Sequence, residues 1–229
     1  MSQSANSNSN VQTLKDTADT LIIRCWYYSN NATDESDVQK VNVETLNYRV
    51  FQLNTTGAKT NVNQNKFIPG ELLTSNTSNS QMYVVEWLPS SNALIVVSAV
   101  VGGDCANLAN GESVSGKLSN SNIIVGNTSV NAVSIPARLL ELESIQWSVT
   151  PNTSVELEWK GNGAYTTAGI FTESGYNGRN ALQTEIINNS AVVQDGNLYI
   201  STHNIGTKGS YTLLLELRKT AGFAQRPVY

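Results

Sequence analysis

Any catalytic site in this sequence has to be built around one histidine, His203, or around a few groups of acidic residues. A serine or cysteine nucleophile needs a base beside it, and a polyhistidine metal site needs several imidazoles. His203 ends a predicted strand shortly before Gly206, where a turn residue is expected. The sequence contains no nucleophile elbow, phosphate-binding loop, dinucleotide fingerprint or zinc-binding helix. We therefore predict that His203 is a turn residue and that the protein is not an enzyme.

Three acidic residues, Asp34, Glu35 and Asp37, lie in one predicted loop. Carboxylates are the hard oxygen ligands that Ca²⁺ prefers, so these residues are the weak metal candidates of the sequence. Their spacing matches no EF-hand loop, which favours a solvated acidic loop. The sequence predicts no bound metal and no cofactor.

Paired carboxylates are the machinery of glycoside hydrolases, and the chain has two such pairs. Glu141 and Glu143 form one pair, and Glu156 and Glu158 form the other. All four alternate with apolar residues, a pattern that places them on the solvent face of a sheet. We therefore do not predict hydrolysis.

Four tryptophans raise the question of sugar-binding surfaces. Trp147 and Trp159 alternate with aliphatic residues and are predicted to fill the core. Trp26 and Trp87 are less determined by their neighbours. An exposed Trp87, or Tyr83 beside it, is the candidate surface aromatic for stacking on a glycan or on a neighbouring subunit.

The bulk composition limits the partners of the chain. Only 14% of the 229 residues are charged, and the formal net charge of −4 gives no long-range attraction to phosphate backbones. The longest apolar stretch is too short to span a bilayer, and the first residues lack a secretory signal. Cys25 and Cys105 either form one bridge or, as we favour, are two buried free thiols. We expect cytoplasmic synthesis and no nucleic-acid or membrane partner.

Short segments rich in Val, Ile, Tyr, Trp and Thr alternate with turn residues along the chain. Asn, Ser, Thr and Gly interrupt almost every window with a helical period. The predicted strands are 21–28, 48–53, 82–87, 94–101, 144–149, 154–159, 197–202 and 210–218. The sequence thus predicts an all-β fold, an antiparallel β-sandwich of jelly-roll or immunoglobulin-like type.

An internal repeat lies within residues 67–125. The segment FIPGELLT begins at Phe67 and LANGESVS begins at Leu108, and the offset is 41 residues because Gly111 matches Gly70 (111 − 70 = 41). The same register relates the Ser-Asn-Ser sequences that begin at Ser78 and Ser119. Each copy predicts a Gly-Glu turn followed by a hairpin. Two duplicated hairpins predict a small β-barrel or sandwich.

The repeat interrupts segments that look like two parts of another domain. We predict a flexible N-terminal arm over 1–18, because Ser, Asn and Gln dominate it. A discontinuous β-sandwich is predicted over 19–60 and 131–222, and an inserted β-domain over 61–130. Residues 223–229 are predicted to be a C-terminal tail.

The C-terminal half carries a series of strand motifs in a fixed order. They are SIQWSV at 144–149, SVELEW at 154–159, NLYIST at 197–202 and GSYTLLLELRK at 209–219. This series, over about residues 135–222, resembles the virion structural proteins of tailed phages, especially those that infect marine cyanobacteria. The resemblance implies a sandwich used in head decoration, neck or tail assembly. The chain departs from the family pattern in its duplicated insert and in Lys160, where the family commonly has an acidic residue.

The expected function is therefore a capsid decoration (cement) or head–tail protein of the virion, assembled in the host cytoplasm. It would bind other virion proteins, as a homo-oligomer or on a lattice. Phe223, Arg226 and Tyr229 in the tail are the predicted interface residues. The alternative is a tail-associated protein that binds a glycan or receptor through Tyr83 or Trp87.

Overall fold

The structure is a computed structural model, and its contacts divide the chain into two compact units. It describes residues 7–56, 67–99, 105, 108–126, 131–136, 139–161, 164–177 and 194–225. The first unit, Met1–Glu44 with Arg138–Thr220, is called the sandwich unit here. The second, Thr45–Ala137 with Ala221–Tyr229, is called the barrel unit. The prediction of an all-β fold with antiparallel sheets is confirmed.

The sandwich unit contains two sheets. Its strands are β1 (Ser7–Asp16), β2 (Thr20–Ser29), β3 (Val38–Val41), β11 (Leu139–Val149), β12 (Ser154–Gly161), β13 (Ala164–Thr172), β14 (Ser174–Asn177), β15 (Gln194–His203) and β16 (Ser210–Ala221). A five-stranded sheet has the order β1-β2-β16-β11-β14, and a four-stranded sheet has the order β13-β12-β15-β3.

Side-chain alternation explains why these segments form a sandwich. In β2 and β16 every second residue is buried, as expected for strands with one face in the core. Leu21 pairs with Leu217 and Ile23 pairs with Leu215 across the two strands, and all four are fully or almost fully buried. On the other sheet, β12 contributes the buried Trp159 to the core. The period-two pattern therefore sets both the strands and the face that each one buries.

The barrel unit contains one sheet that closes on itself. Its strands are β4 (Val50–Thr56), β5 (Leu72–Ser75), β6 (Gln81–Leu88), β7 (Ala93–Ser98), β8 (Glu112–Gly116), β9 (Asn122–Val125) and β10 (Val133–Ser134). The order β10-β4-β7-β6-β5-β8-β9 is closed by pairing of β9 with β4. Phe51, Leu73, Met82 and Val114 are among the buried residues inside.

The duplication in the barrel includes a third strand that the sequence repeat did not reveal. Thr55 of β4 pairs with Val125, as Val96 of β7 pairs with Val84, and both partners keep the same offset of 41 residues (96 − 55 and 125 − 84). The barrel is thus built from two strand-plus-hairpin repeats, β4-β5-β6 and β7-β8-β9. Equivalent residues meet where the two repeats pair, as Leu53 does with Leu94.

The predicted domain boundaries differ from the structure in three places. Residues 131–136, predicted as part of the sandwich, belong to the barrel unit, because β10 pairs with β4 there. Residues 50–56, predicted as part of the sandwich, form β4 of the barrel, because the first repeat needs this strand to close the sheet. The predicted arm over 1–18 contains β1, whose main chain pairs with β2. A composition poor in apolar residues does not prevent a strand when a neighbouring edge supplies the hydrogen bonds.

Both cysteines are buried and free, as favoured from the sequence. Burial raises the pKa of the Cys25 thiol to about 12, with opposing smaller effects of Lys40 and Glu35. A thiol that stays protonated is a poor nucleophile. Within the described residues, no helix is long and apolar enough to cross a membrane.

Candidate functional site

Strand β1 is an edge strand with very little side-chain burial. Its main chain pairs with β2 at nine positions, and no described strand pairs with its other edge. The side chains from Val11 to Lys15 are all exposed, including 40% of Val11 and 52% of Leu14. Sheet edges of this kind present unpaired N–H and C=O groups to other strands. β1 is therefore a candidate interface.

The C-terminal end of β1 is fixed to the sandwich, in contrast to its exposed middle. Asp16 forms an ion pair with Lys219, whose side chain is fully buried. The next turn is closed by Thr17, whose N–H donates to the carbonyl of Thr20 at 2.9 Å. The backbone N–H of Lys219 also donates to the carbonyl of Asp19 at 2.9 Å. These contacts thus fix the C-terminal end of β1, while the side chains from Val11 to Lys15 stay exposed.

The outer edge of β1 lacks two of the features that usually block edge pairing, charged residues and prolines. From Ser7 to Leu14 it contains no charged residue and no proline. Natural sheets commonly protect a long edge with inward-facing charges, prolines or a covering element. A bulge at Leu14, between Thr13 and Lys15, is the one irregularity in the pairing with β2.

The predicted acidic loop is held by internal hydrogen bonds. Asp34 Oδ1 accepts from the backbone N–H of Ile205 at 2.9 Å and from Thr202 Oγ1 at 3.0 Å. Asp34 Oδ2 accepts from the N–H of Asn204 at 3.2 Å. The N–H of Asp37 donates to Ser201 Oγ at 2.9 Å. The loop therefore anchors the turn after β15.

Glu35 is buried, which corrects the predicted solvated loop at this residue, whereas Asp34 and Asp37 are exposed. The Glu35 carboxylate accepts from Lys40 Nζ at 2.7 Å and from Tyr211 Oη at 2.5 Å. The side chains of Lys40 and Glu35 are 1% and 4% exposed. Burial raises the pKa of Tyr211 well above its ordinary value, and the negative charge on Glu35 raises it further. This Lys40–Glu35–Tyr211 triad is a polar cluster inside the sandwich unit.

Whether Asp34, Glu35 and Asp37 act as metal ligands stays a prediction. Within the described residues, no group of three or more His, Cys, Asp or Glu side chains is arranged to hold a metal ion. Lys40 and Tyr211 occupy both oxygens of Glu35. The three acidic side chains serve different hydrogen-bond partners rather than one common point.

A second polar group lies on the outer face of the four-stranded sheet. Glu156 Oε2 and His203 Nε2 are 2.9 Å apart, and Thr167 Oγ1 donates a hydrogen bond to Glu156 Oε1. Ser201 Oγ donates to Glu158 Oε2 at 2.8 Å. Glu158 is only 8% exposed, which corrects its predicted position on a solvent face. His203 is the last residue of β15 and pairs with Ser154, so it ends a strand instead of lying in the predicted turn, and half of its side chain is exposed.

The two glutamates of this face differ in the direction of their pKa shifts. The hydrogen bond from Thr167, followed by that from His203, lowers the pKa of Glu156. Burial raises the pKa of Glu158, and the nearby charges of Glu156 and Asp37 raise it further, against the hydrogen bond from Ser201. The fold therefore favours charge on Glu156 and disfavours charge on Glu158.

We expect E158Q to raise the melting temperature of the sandwich by a few degrees near pH 7, because the amide resembles the protonated acid that the fold prefers. A raised pKa contributes stability below its ordinary range and loses it as pH rises, so the gain should disappear near pH 4. Thermal unfolding at both pH values measures this. E156Q is the matched control and should lower the melting temperature near pH 7. Equal effects of the two substitutions would contradict the assignment.

The barrel unit contains a reciprocal pair of buried glutamates, Glu71 and Glu112, at equivalent positions of the two repeats. One oxygen of Glu71 accepts from the N–H of Ile68 at 2.8 Å, and the other accepts from the N–H groups of Leu118 and Ser119. Each glutamate thus binds its own turn and the turn of the other hairpin.

Glu112 repeats this arrangement 41 residues later. It accepts from the N–H of Ala109 at 2.9 Å, from the N–H groups of Thr77 and Ser78, and from Ser75 Oγ. Burial alone would raise the pKa of Glu112, but the hydrogen bonds from Ser75, Ser78 and Ala109 outweigh it and lower the pKa to about 2. Gly111 precedes it at φ +82°, as Gly70 precedes Glu71 at φ +88°, a conformation that glycine tolerates.

The equivalent of Ser75 in the second repeat is Gly116, and the structure explains the difference. A Cβ at Gly116 would lie 2.5 Å from Glu71 Oε2 and 2.6 Å from Ser119 Oγ. At this position Ser119 supplies the hydroxyl hydrogen bond to Glu71 that Ser75 supplies to Glu112. The two repeats therefore satisfy the same carboxylate with different hydroxyl groups.

The aromatic candidates of the barrel are only partly accessible. Trp87 packs against the barrel core, and its ring meets Phe67 edge-on with the centroids 5.5 Å apart. Tyr83 is half-buried on β6. In the sandwich unit, Trp159 is buried as predicted, whereas Trp147 is half-buried, and its Nε1 donates to the carbonyl of Thr172 at 3.1 Å.

The predicted tail interface is described only in its first part. Phe223 is half-buried and forms a bridge with Arg49, and the N–H of Ala224 donates to the carbonyl of Tyr48 at 2.9 Å. Arg226 and Tyr229 lie outside the described residues. The segment around Phe223 thus packs on the barrel unit, and its contact with another subunit stays a prediction.

The sequence analysis missed β1, because no periodicity marks it. The repeated Gly-Glu turn located Glu71 and Glu112, but their burial and their hydrogen bonds across the two hairpins were not predicted. Comparing the residue types that the two repeat copies share would have found these two glutamates as buried hydrogen-bond acceptors.

The comparisons with known proteins do not assign the chain to a family. No protein-family model matches it, and no curated protein matches it. One solved structure, "Complete structure of manganese lipoxygenase of Gaeumannomyces graminis and partial structure of zonadhesin of Komagataella pastoris", has 7% identity and a TM-score of 0.15. That match covers 95% of this chain and 84% of the other.

Proposed function

We propose that the protein is a non-enzymatic structural component of a phage particle that binds other virion proteins through the edge of β1. The observation that carries the proposal is the long edge of β1, which has no charged residue from Ser7 to Leu14 and whose side chains are exposed from Val11 to Lys15. A capsid decoration protein or a head–tail protein is the specific role that the sequence resemblance implies. The proposed localisation is the virion.

Edge pairing suits a protein that assembles on a repeated surface. A partner strand added to β1 would gain main-chain hydrogen bonds without any deep pocket. Val11 and Leu14 add apolar area that becomes buried at the same time. Many weak contacts of this kind on a lattice give strong attachment.

The glycan-binding alternative has less support. Trp87 packs against the barrel core and Phe67, so its ring is not a free stacking platform. Tyr83 is half-buried. A glycan array remains the direct test of this alternative, and strong binding that Y83A abolishes would favour it over assembly.

We expect V11K to weaken binding of the purified protein to particles assembled without it by about tenfold or more, because a charge on the edge strand opposes strand addition. Co-sedimentation with those particles measures the binding. L118K is the matched control, since Leu118 is 62% exposed in the barrel unit. An equal loss in both variants, or no loss in V11K, would contradict the role of β1.

Location in the particle is tested by cryo-electron microscopy of purified virions, with copy number from mass spectrometry. Many ordered copies on the capsid would support decoration, and a few copies in a ring or at the tail would support a neck or tail role. Complete absence from the particle would overturn the proposal.

A further inference from the structure

The outer face of the five-stranded sheet contains a groove with a volume of about 330 Å³. Its lining residues combine apolar and neutral polar side chains with one cation. They are Leu14, Arg24, Gln146, Trp147, Ser148, Thr212 and Leu214. The volume lies at the lower end of the range found for small-molecule sites.

Arg24 is the one charged residue of the groove, and no described residue forms an ion pair with it. Its guanidinium lies over the ring of Trp26, with Cζ 5.5 Å from the ring centroid. Leu214 pairs with Arg24 on the adjacent strand and supplies an apolar wall beside it. The groove therefore holds an exposed cation in place and supplies no anion for it.

Arg218 lies on the same sheet face and, unlike Arg24, has carboxylate partners. It lies four residues after Leu214 on β16, and Glu141 and Glu143 both pair with it. Along β16, the carboxylate nearest to the position opposite Arg24 is that of Glu216. Glu216 lies opposite Ile22 in the strand pairing, and its carboxylate accepts a hydrogen bond from Ser144 Oγ at 3.0 Å. The two exposed arginines of this sheet face thus differ in their charge partners: Arg218 has two carboxylates beside it, and no described carboxylate pairs with Arg24.

We propose that this groove is a binding site for a small carboxylate whose body is apolar. A guanidinium binds a carboxylate through two parallel N–H···O hydrogen bonds, which fixes both charge and orientation. Leu14 and Leu214 contact the apolar body of the ligand, and Gln146 and Thr212 offer hydrogen bonds at its rim. This proposal goes beyond the proposed role of the β1 edge, but the two sites share Leu14, so a partner strand on β1 and a ligand in the groove compete for that side chain.

Two matched probes test the proposal, phenylacetate and its neutral isostere phenylacetamide. Titration of the full chain, followed by the backbone amide signals of Gln146, Ser148 and Thr212, reports binding at the groove. Phenylacetate is expected to shift these signals saturably with a Kd of about 1 mM, and phenylacetamide is expected to bind at least about tenfold more weakly. Glucuronate, which places a carboxylate on a polar ring, is expected to bind more weakly than phenylacetate.

The matched variants are R24Q and R218Q, since both residues are exposed on the same sheet face and both changes remove one charge. R24Q should weaken phenylacetate binding by about tenfold or more, and R218Q should leave the Kd within about twofold. Equal binding of phenylacetate and phenylacetamide, retention of binding in R24Q, or no saturable shift with the wild-type chain would overturn the proposal. Tighter binding of glucuronate than of phenylacetate would overturn the assignment of an apolar body.

Discussion

K40M is expected to lower the free energy of unfolding of the sandwich unit by about 3–5 kcal/mol, because it leaves Glu35 buried without its cation. The side chains of Lys40 and Glu35 are almost fully buried, so water cannot replace the lost partner. Tyr211 Oη still donates to the carboxylate, but one neutral donor does not compensate a buried charge. Urea unfolding monitored by the tryptophans of the sandwich unit measures the change.

The double variant E35Q/K40M distinguishes loss of the ion pair from loss of packing. Removing both charges should recover a large part of the stability, because the penalty of the isolated carboxylate disappears. K15M is the control, since Lys15 is exposed, and it should change stability by less than about 0.5 kcal/mol. A K40M variant as stable as K15M would show that the triad contributes little.

E112Q is expected to lower the stability of the barrel unit by about 3 kcal/mol near pH 7, because the hydrogen bonds around Glu112 stabilise its charged form. They lower its pKa from the ordinary value of 4.5 to about 2. Each unit of pKa shift corresponds to about 1.4 kcal/mol. Urea unfolding followed by Trp87, the tryptophan of the barrel sequence, measures the loss.

The pH dependence of this loss follows from the direction of the shift. A lowered pKa contributes stability above the ordinary pKa of the unfolded chain, and the contribution is lost as pH falls toward about 2. The difference between wild type and E112Q should therefore be full near pH 6 and small near pH 2. A difference that does not change with pH would show that packing, not charge, is responsible.

E71Q is the matched variant in the other repeat and should also destabilise the barrel, because Glu71 accepts hydrogen bonds from the equivalent backbone positions of the two repeats. S75A removes one donor to Glu112 and should cost about 1–2 kcal/mol. Stability unchanged in E71Q while E112Q is strongly destabilised would contradict the reciprocal arrangement.

The strands that the sequence predicted well are those with one buried face. β2, β12 and β16 alternate apolar and polar residues, and this local pattern is set by the pleat of a strand. The repeated Gly-Glu turn likewise predicted the hairpins that contain Glu71 and Glu112. These features depend only on residues that are close together in the chain, so a single sequence is enough to predict them.

Other features depend on segments far apart in the chain. β1 has no apolar period, and it becomes a strand because β2 offers a paired edge. Glu35 looks like part of a solvated loop until Lys40 and Tyr211 are brought to it. Glu158 looks exposed by alternation, yet Ser201 and the neighbouring strands bury it.

The sequence by itself determined the all-β class, the duplicated hairpins and the lack of a recognisable catalytic motif. Only the tertiary structure decided that β4 completes the first barrel repeat, that no described strand pairs with the outer edge of β1, and that no described residue forms an ion pair with Arg24 in the groove. The physical reason is that periodicity encodes which face of a strand is buried, whereas strand partners and charge partners are chosen across the whole fold.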